Sequence, residues 1–197
     1  MWNQRYNQPD YVYGTQPNDF LVSASASIPR GKLLSLGEGE GRNAVYLATQ
    51  GWDVTAVDSS EVGLEKARRL AAEKGVQITT IVADLVDFQI QPNSWEAIVS
   101  IFCHVPSVIR LPLHQAVVRG LKPGGVFVLE AFTPRQLAMG TGGPASPDML
   151  MTLASLRQEL AGLRFVQAVE LDRKVVEGQF HTGQAAVVQI VGVKEAG

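Results

Sequence analysis

A short apolar run, KLLSL at 32–36, passes straight into Gly37-Glu38-Gly39-Glu40-Gly41 and then into the helix-forming stretch RNAVYLATQ. Glycines at this spacing let the backbone turn tightly and approach a ligand closely at the N-terminus of the following helix. About 20 residues beyond the first glycine, the next apolar run, DVTAVD, ends in Asp58, the position from which a carboxylate accepts hydrogen bonds from ribose hydroxyls. Strand, glycine turn, helix, strand and terminal acid in this order specify a nucleoside-binding α/β unit.

The alternation continues along the chain. SEVGLEKARRLAAEKG, ITTIVAD, WEAIVSIF, a helix ending near Leu121 and GGVFVLEAF follow in turn. Short, uniformly apolar strands separated by amphipathic helices form a mostly parallel sheet covered on both faces. In the second helix Ser59 or Ser60 is the cap, Leu64, Ala67, Leu70 and Ala71 share one face, and Gly75 follows the last turn. Lys66, Arg68, Arg69 and Lys74 read as its solvated face. Pro112 is expected at the first turn of its helix, where its missing N–H is harmless. GTGGPASPD at 140–148 reads as a long loop within one domain, and Thr152 caps a helix to about Gly162. RFVQAVELDRKVV and QAAVVQIVGV then form an antiparallel hairpin turning at Gly178 to Gly183. The expected organisation is one domain over 1–197, with an N-terminal arm (1–30), a nucleoside-binding core (31–135) and a loop, helix and hairpin (136–197).

Charge narrows the function. With 17 basic against 19 acidic residues in 197 and a net charge of −2, no global positive field exists to hold nucleic acid or an anionic membrane. One cysteine and three histidines at unrelated spacings make no metal array and no internal disulfide. The N-terminus has no apolar core of signal-peptide length and the longest apolar runs are far too short to span a bilayer, so a cytoplasmic setting is expected.

The ligand follows from the loop. A dinucleotide or ATP places phosphates on the helix N-terminus, where they want uncrowded N–H groups. Glu38 and Glu40 stand inside the turn, answered locally only by Arg42, and GEGEGRN lacks the Lys-Ser/Thr pair of a P-loop. S-adenosylmethionine carries a sulfonium and an ammonium against one carboxylate, and the acidic loop favours it.

From Lys32 to Phe132 the chain resembles class I S-adenosylmethionine-dependent methyltransferases: LLSLGEGEGRN matches the first motif, AVDSS the ribose motif, VADL the adenine motif and LKPGGVFVLEAF the turn into strand five. YVYGTQPNDFLV, GEGRNAVYLA, VSIFCHVP and TGGP extend the likeness to the tellurite-resistance (TehB-type) and thiol methyltransferase branch. The resemblance implies a single-domain Rossmann-like fold with a seven-stranded sheet, an antiparallel last strand and helices on both faces. It implies that Gly37, Glu38 and Gly39 line the methionine end, that Asp58 holds the ribose and Ser59 the adenine edge, that Asp84 and the Leu85 amide read the adenine, and that Gly41, Asn43 and Ile101 are also cofactor-binding. Ser35 stands where the family commonly has Asp, so the carboxylate facing the ammonium is expected from Glu38.

Methyl transfer from a sulfonium is an in-line displacement, worth roughly 7 to 11 kcal/mol of positioning, and needs no triad. A thiol or other chalcogen acceptor needs little base, and SIFCHVP at 100–106 lacks the strings of base-methylating enzymes. His104, sitting after strand four, is the candidate general base or substrate-orienting donor. Arg42, Cys103, Tyr13 and His181, the last in the hairpin turn, are candidate acceptor or lid residues, with Tyr6, Tyr11, Tyr13 and Phe20 as an aromatic arm over the cofactor. No metal is expected. Two other functions fit the fold: a non-catalytic S-adenosylmethionine-binding protein, and an NAD(P)-dependent oxidoreductase.

Overall fold

The computed structural model describes residues 1–178 and 181–195. Helices α1 (Trp2–Tyr6) and α2 (Asp19–Ala24) precede β1 (Lys32–Leu36), α3 (Arg42–Thr49), β2 (Asp53–Asp58), α4 (Glu61–Glu73) and β3 (Thr79–Val82). Then come β4 (Trp95–Ile101), α5 (Ser107–Gly120), β5 (Leu121–Phe132), α6 (Leu153–Glu159), β6 (Leu163–Glu177) and β7 (His181–Lys194). The strands make one sheet in the order β3-β2-β1-β4-β5-β7-β6. β1 to β5 pair in parallel, while β7 runs antiparallel to both of its neighbours. The strand order reverses between β1 and β4, so their carboxyl ends flank a crevice at the topological switch point.

Alternation along the strands builds a core on each face. Leu33, Val54, Ala56, Val99 and Val128 pack with Phe20, Leu47 and Leu64 from α2, α3 and α4. Leu34, Val57, Ile98, Phe127 and Leu129 pack against Leu113 and Val117 of α5 and Leu156 of α6. Both faces of the central strands are therefore dry, which is why they read as unbroken apolar runs. Phe20 is part of this core at 4% exposure, not part of a lid.

Local signals behave as their chemistry requires, with three exceptions. Ser60 caps α4 by accepting from the Gly63 amide, and Thr152 and Ser155 close a capping box on α6. Pro112, however, lies inside α5. The carbonyl it leaves without its helical partner is that of Val108, a residue 80% exposed and so open to solvent. Lys66 is buried rather than solvated, for it has a buried anion to meet. His181 opens β7 instead of lying in the turn, while positions 179 and 180 of the expected turn fall outside the described residues. Among the described residues no helix is long and apolar enough to cross a membrane.

Candidate active site

The turn between β1 and α3 is held by close packing. Gly37, Gly39 and Gly41 have φ of 62°, 66° and 94°, the left-handed region that costs glycine least. At Gly41 a side chain is also sterically barred, because its Cβ would fall 2.6 Å from the Ala67 Cα of α4. At Gly39 a Cβ would meet the Tyr6 hydroxyl at 2.7 Å.

Glu38 points inward, not to solvent. Its Oε1 accepts from the Asn43 and Ala44 amides at 3.1 and 3.0 Å, and its Oε2 from the Ser35 hydroxyl. The carboxylate thus caps α3 and sits at the positive end of its dipole. Burial raises its carboxyl, with the Ala44 amide, Ser35 and Arg42 pulling the other way. Ser35, where the family commonly has Asp, thus donates to the Glu38 carboxylate.

The charge balance of the loop differs from the expectation that Arg42 answers it. Glu40 is buried and paired with Lys66 at 2.7 Å, and its other oxygen accepts from the Val12 amide at 2.8 Å. Arg42 turns away to Glu177 at 2.6 Å. Helix α4 brings Lys66 to Glu40 because Gly41 lets the two helices touch, a proximity invisible in residue order. The loop therefore presents less negative charge than its sequence suggests.

Asp58, at the end of β2, accepts from the Gly39 and Ser60 amides, both at 2.8 Å. Burial raises its carboxyl against those amide bonds. Ser59 beside it is exposed, as is Asp84 after β3. Asp84 Oδ1 accepts from the Val86 amide at 3.0 Å, and the intervening Leu85 N–H has no hydrogen-bond partner among the described residues. Ile101 is buried at the end of β4. Asn43 is committed elsewhere: its Oδ1 accepts from the Asn18 amide at 2.9 Å, so it anchors the N-terminal segment instead of facing the crevice.

That segment lies over the loop. Tyr6 is buried against Gly39 and Gly63, and burial together with the Asp58 charge pushes its hydroxyl up. Asn3 accepts from the Ser60 hydroxyl at 2.7 Å, and Lys66 donates to the Asp10 carbonyl at 2.7 Å. Tyr11 packs on α3 and α4 and donates to the Lys66 carbonyl at 3.2 Å. Of the aromatic arm, then, Tyr6 covers the loop, Tyr13 reaches the mouth and Tyr11 is packing.

His104 is not a base. Its Nδ1 lies 3.0 Å from the Phe102 carbonyl and its Nε2 accepts from the Phe132 amide at 3.0 Å. Both nitrogens are spent on backbone, and burial with the neighbouring His181 brings the ring down to about 3, so it stays neutral. It holds Phe102 at φ 52°, a left-handed conformation rare for a bulky residue. His104→Gln, which can donate and accept at the same two points, is expected to keep fold and function, whereas His104→Leu orphans two buried backbone groups and should cost about 2–4 kcal/mol, read from urea unfolding. Cys103 packs its Sγ 2.6 Å from where a Gly37 Cβ would be, and burial pushes the thiol up to about 12. It is a small apolar wall, not a nucleophile.

Sequence reasoning missed a buried polar network behind the mouth. Glu130, fully buried in β5, accepts from Arg173, Gln189 and Asn18 at 2.6 to 2.8 Å. Asn18 also donates to Glu177 at 2.7 Å. The available signal was the charge inside VFVLEAF, since a carboxylate in a buried strand must be paired. Burial alone would raise the Glu177 carboxyl, but His181, Arg42 and Asn18 bring it down to about 2. The stability Glu177 contributes is present above the ordinary carboxylate range and lost as pH falls from about 4.5 toward 2. Glu177→Gln is therefore expected to flatten the acid limb of stability against pH, measured by denaturant midpoints.

The fold is an α/β domain with a crevice at the switch point of a mostly parallel sheet and an antiparallel last strand. The "Methyltransferase domain" family model matches residues 33–125. A 2-heptyl-1-hydroxyquinolin-4(1H)-one methyltransferase of Mycobacteroides abscessus is 26% identical over 140 residues, covering 70% of this chain and 62% of that protein. TehB of Haemophilus influenzae, named a probable S-adenosyl-L-methionine-dependent methyltransferase, is 34% identical over 97 residues, covering 46% of this chain and 34% of its own. The solved TehB structure superposes with a TM-score of 0.74 at 19% identity, over 98% of this chain and 66% of that one. A structure from work on conversion of a disulfide bond into a thioacetal group during echinomycin biosynthesis superposes at 0.77 and 19% identity, over 96% and 85%. At that identity the superpositions speak for the fold. Residues 33–125 match that methyltransferase-domain model, and the chain resembles the TehB branch of class I S-adenosylmethionine-dependent methyltransferases. It spans a third to three-fifths of the curated relatives' length.

Proposed function

We propose that the protein binds S-adenosylmethionine at the carboxyl ends of β1, β2 and β3 and transfers its methyl group to a small-molecule acceptor, a thiol or other chalcogen nucleophile. The observation that carries the cofactor is the Glu38 carboxylate on the Asn43 and Ala44 amides. Those are the N–H groups of a helix N-terminus that a dinucleotide's pyrophosphate would need, and a bound carboxylate in their place repels phosphate and favours a cationic ligand. Asp58 accepts from the ribose with the lone pairs its two amide donors leave. Asp84 accepts from the adenine amine, and the unpaired Leu85 N–H donates to the ring nitrogen.

When bound, S-adenosylmethionine supplies a methyl group already activated on a sulfonium. The chain's part is alignment and exclusion of water, for which the arm over Gly39 is suited. A sulfur acceptor agrees with both His104 nitrogens being spent on backbone, since a thiol is acidic enough to need little help in losing its proton. The test is single-turnover formation of S-adenosylhomocysteine across a panel of small thiols, with phenols and carboxylates alongside. Product with thiols supports the reading; tight cofactor binding with no product from any acceptor makes the protein a binding module instead.

A further inference from the structure

At the mouth, the arm, the segment after β4, the end of β5 and the start of β7 converge on one ring. The His181 centroid lies 4.6 Å from that of Tyr13, 5.0 Å from Phe102 and 5.2 Å from Phe132. Its Nδ1 is buried and has no hydrogen-bond partner among the described residues. Among the described residues the other such side-chain atom is Trp95 Nε1, at the opposite end of β4. Buried polar atoms are ordinarily satisfied, so an orphan at a crevice calls for an explanation. Packing alone gives none, since a phenylalanine would fill the same box without the desolvation cost.

The nearest anion is Glu177, whose Oε2 lies 3.8 Å from His181 Nδ1, too far for a hydrogen bond. Glu177 is held by Arg42 at 2.6 Å and Asn18 at 2.7 Å. The pair thus has a fixed carboxylate and an imidazole that a small rotation brings onto it. His104 shows the contrast, with both nitrogens filled by backbone.

We infer that His181, oriented by Glu177, takes the proton that the methyl acceptor gives up, so that the acceptor is an apolar molecule entering with a neutral thiol or hydroxyl. The inference rests on the methyltransferase reading. With Nδ1–H donating to Glu177, the other ring nitrogen receives the proton. The bond from sulfur or oxygen to the methyl carbon forms as the sulfonium's S–C bond breaks, and that electron pair stays on the cofactor sulfur. The imidazolium is balanced by Glu177 and returns its proton to water. Tyr13, Phe102 and Phe132 give the apolar walls. The titratable and charged groups around the ring are Tyr13 from the arm, Arg42 from α3, His104 after β4, and Arg173 and Glu177 from β6.

The test compares wild type, His181→Gln and His181→Phe on thiols and phenols of graded acidity at saturating S-adenosylmethionine. Calorimetry of cofactor binding and urea unfolding run in parallel. The expected result is a kcat lower by about 10²- to 10⁴-fold for weakly acidic acceptors, the range of general base catalysis. The loss should shrink toward none for acceptors already ionised, with cofactor Kd unchanged and the wild-type fall in rate toward acid missing from both variants. Whether thiols or phenols carry the effect identifies the acceptor atom. Variants that retain wild-type kcat across the series overturn the role of His181 while leaving the methyltransferase reading standing. A wild type that binds cofactor and methylates no member overturns both.

Discussion

Asp58→Ala is expected to raise the dissociation constant for S-adenosylmethionine at least about 100-fold, the equivalent of ~2.7 kcal/mol. Two losses combine in this one change. The ribose loses its carboxylate acceptor, and hydrogen bonds to a charged group are worth roughly 1.5–3 kcal/mol each. The Gly39 amide, now donating to Asp58 at 2.8 Å, loses the partner that sets the turn. Asp58→Asn keeps the shape and one acceptor oxygen, and should fall between. Calorimetric titration measures both. An Asp58→Ala protein that folds and binds with wild-type affinity would remove the ribose role.

Lys66→Met is expected to destabilise the fold by about 3–5 kcal/mol, because removing one partner of a buried pair strands the other charge. Glu40 is 4% exposed, and Lys66 at 2.7 Å is its counter-charge. The same lysine donates to Asp10, and Glu40 accepts from Val12, so the substitution should also release the arm. The double variant Lys66→Met with Glu40→Gln is expected to recover most of the stability, since no buried charge remains. Urea unfolding gives the energies and limited proteolysis within residues 1–18 reports the arm. A single variant costing under about 1 kcal/mol would mean that Glu40 escapes to solvent or takes up a proton.

The parallel sheet, the glycine turn, Asp58 and the antiparallel last strand were legible because each is written in a short stretch of sequence: runs of apolar residues, glycine spacing, a terminal acid. What local sequence does not carry is which distant charge meets which. Lys66 sits at a helical position that reads as a polar face, and only contact at Gly41 makes Glu40 its partner. Arg42 stands next to the loop acids yet pairs with Glu177, which is 135 residues away. His104 has the right chemistry and location for a base, and backbone atoms on two strand ends take both its nitrogens. His181 reads as a turn residue, and its enclosure by rings from three other segments has no signature in residue order. The argument for a cationic cofactor therefore rests on the capping of α3 by Glu38 and not on the sum of loop charges, since Lys66 neutralises Glu40.

The capping of α3 by Glu38 decides which ligand the helix N-terminus can take. Titrating the protein with S-adenosylmethionine, S-adenosylhomocysteine and NAD in parallel calorimeter runs tests it directly. Micromolar binding of the two adenosyl ligands and none of NAD is expected, because Glu38 already occupies the amides that a pyrophosphate needs. Saturable NAD binding that the methyl donor fails to displace would contradict it.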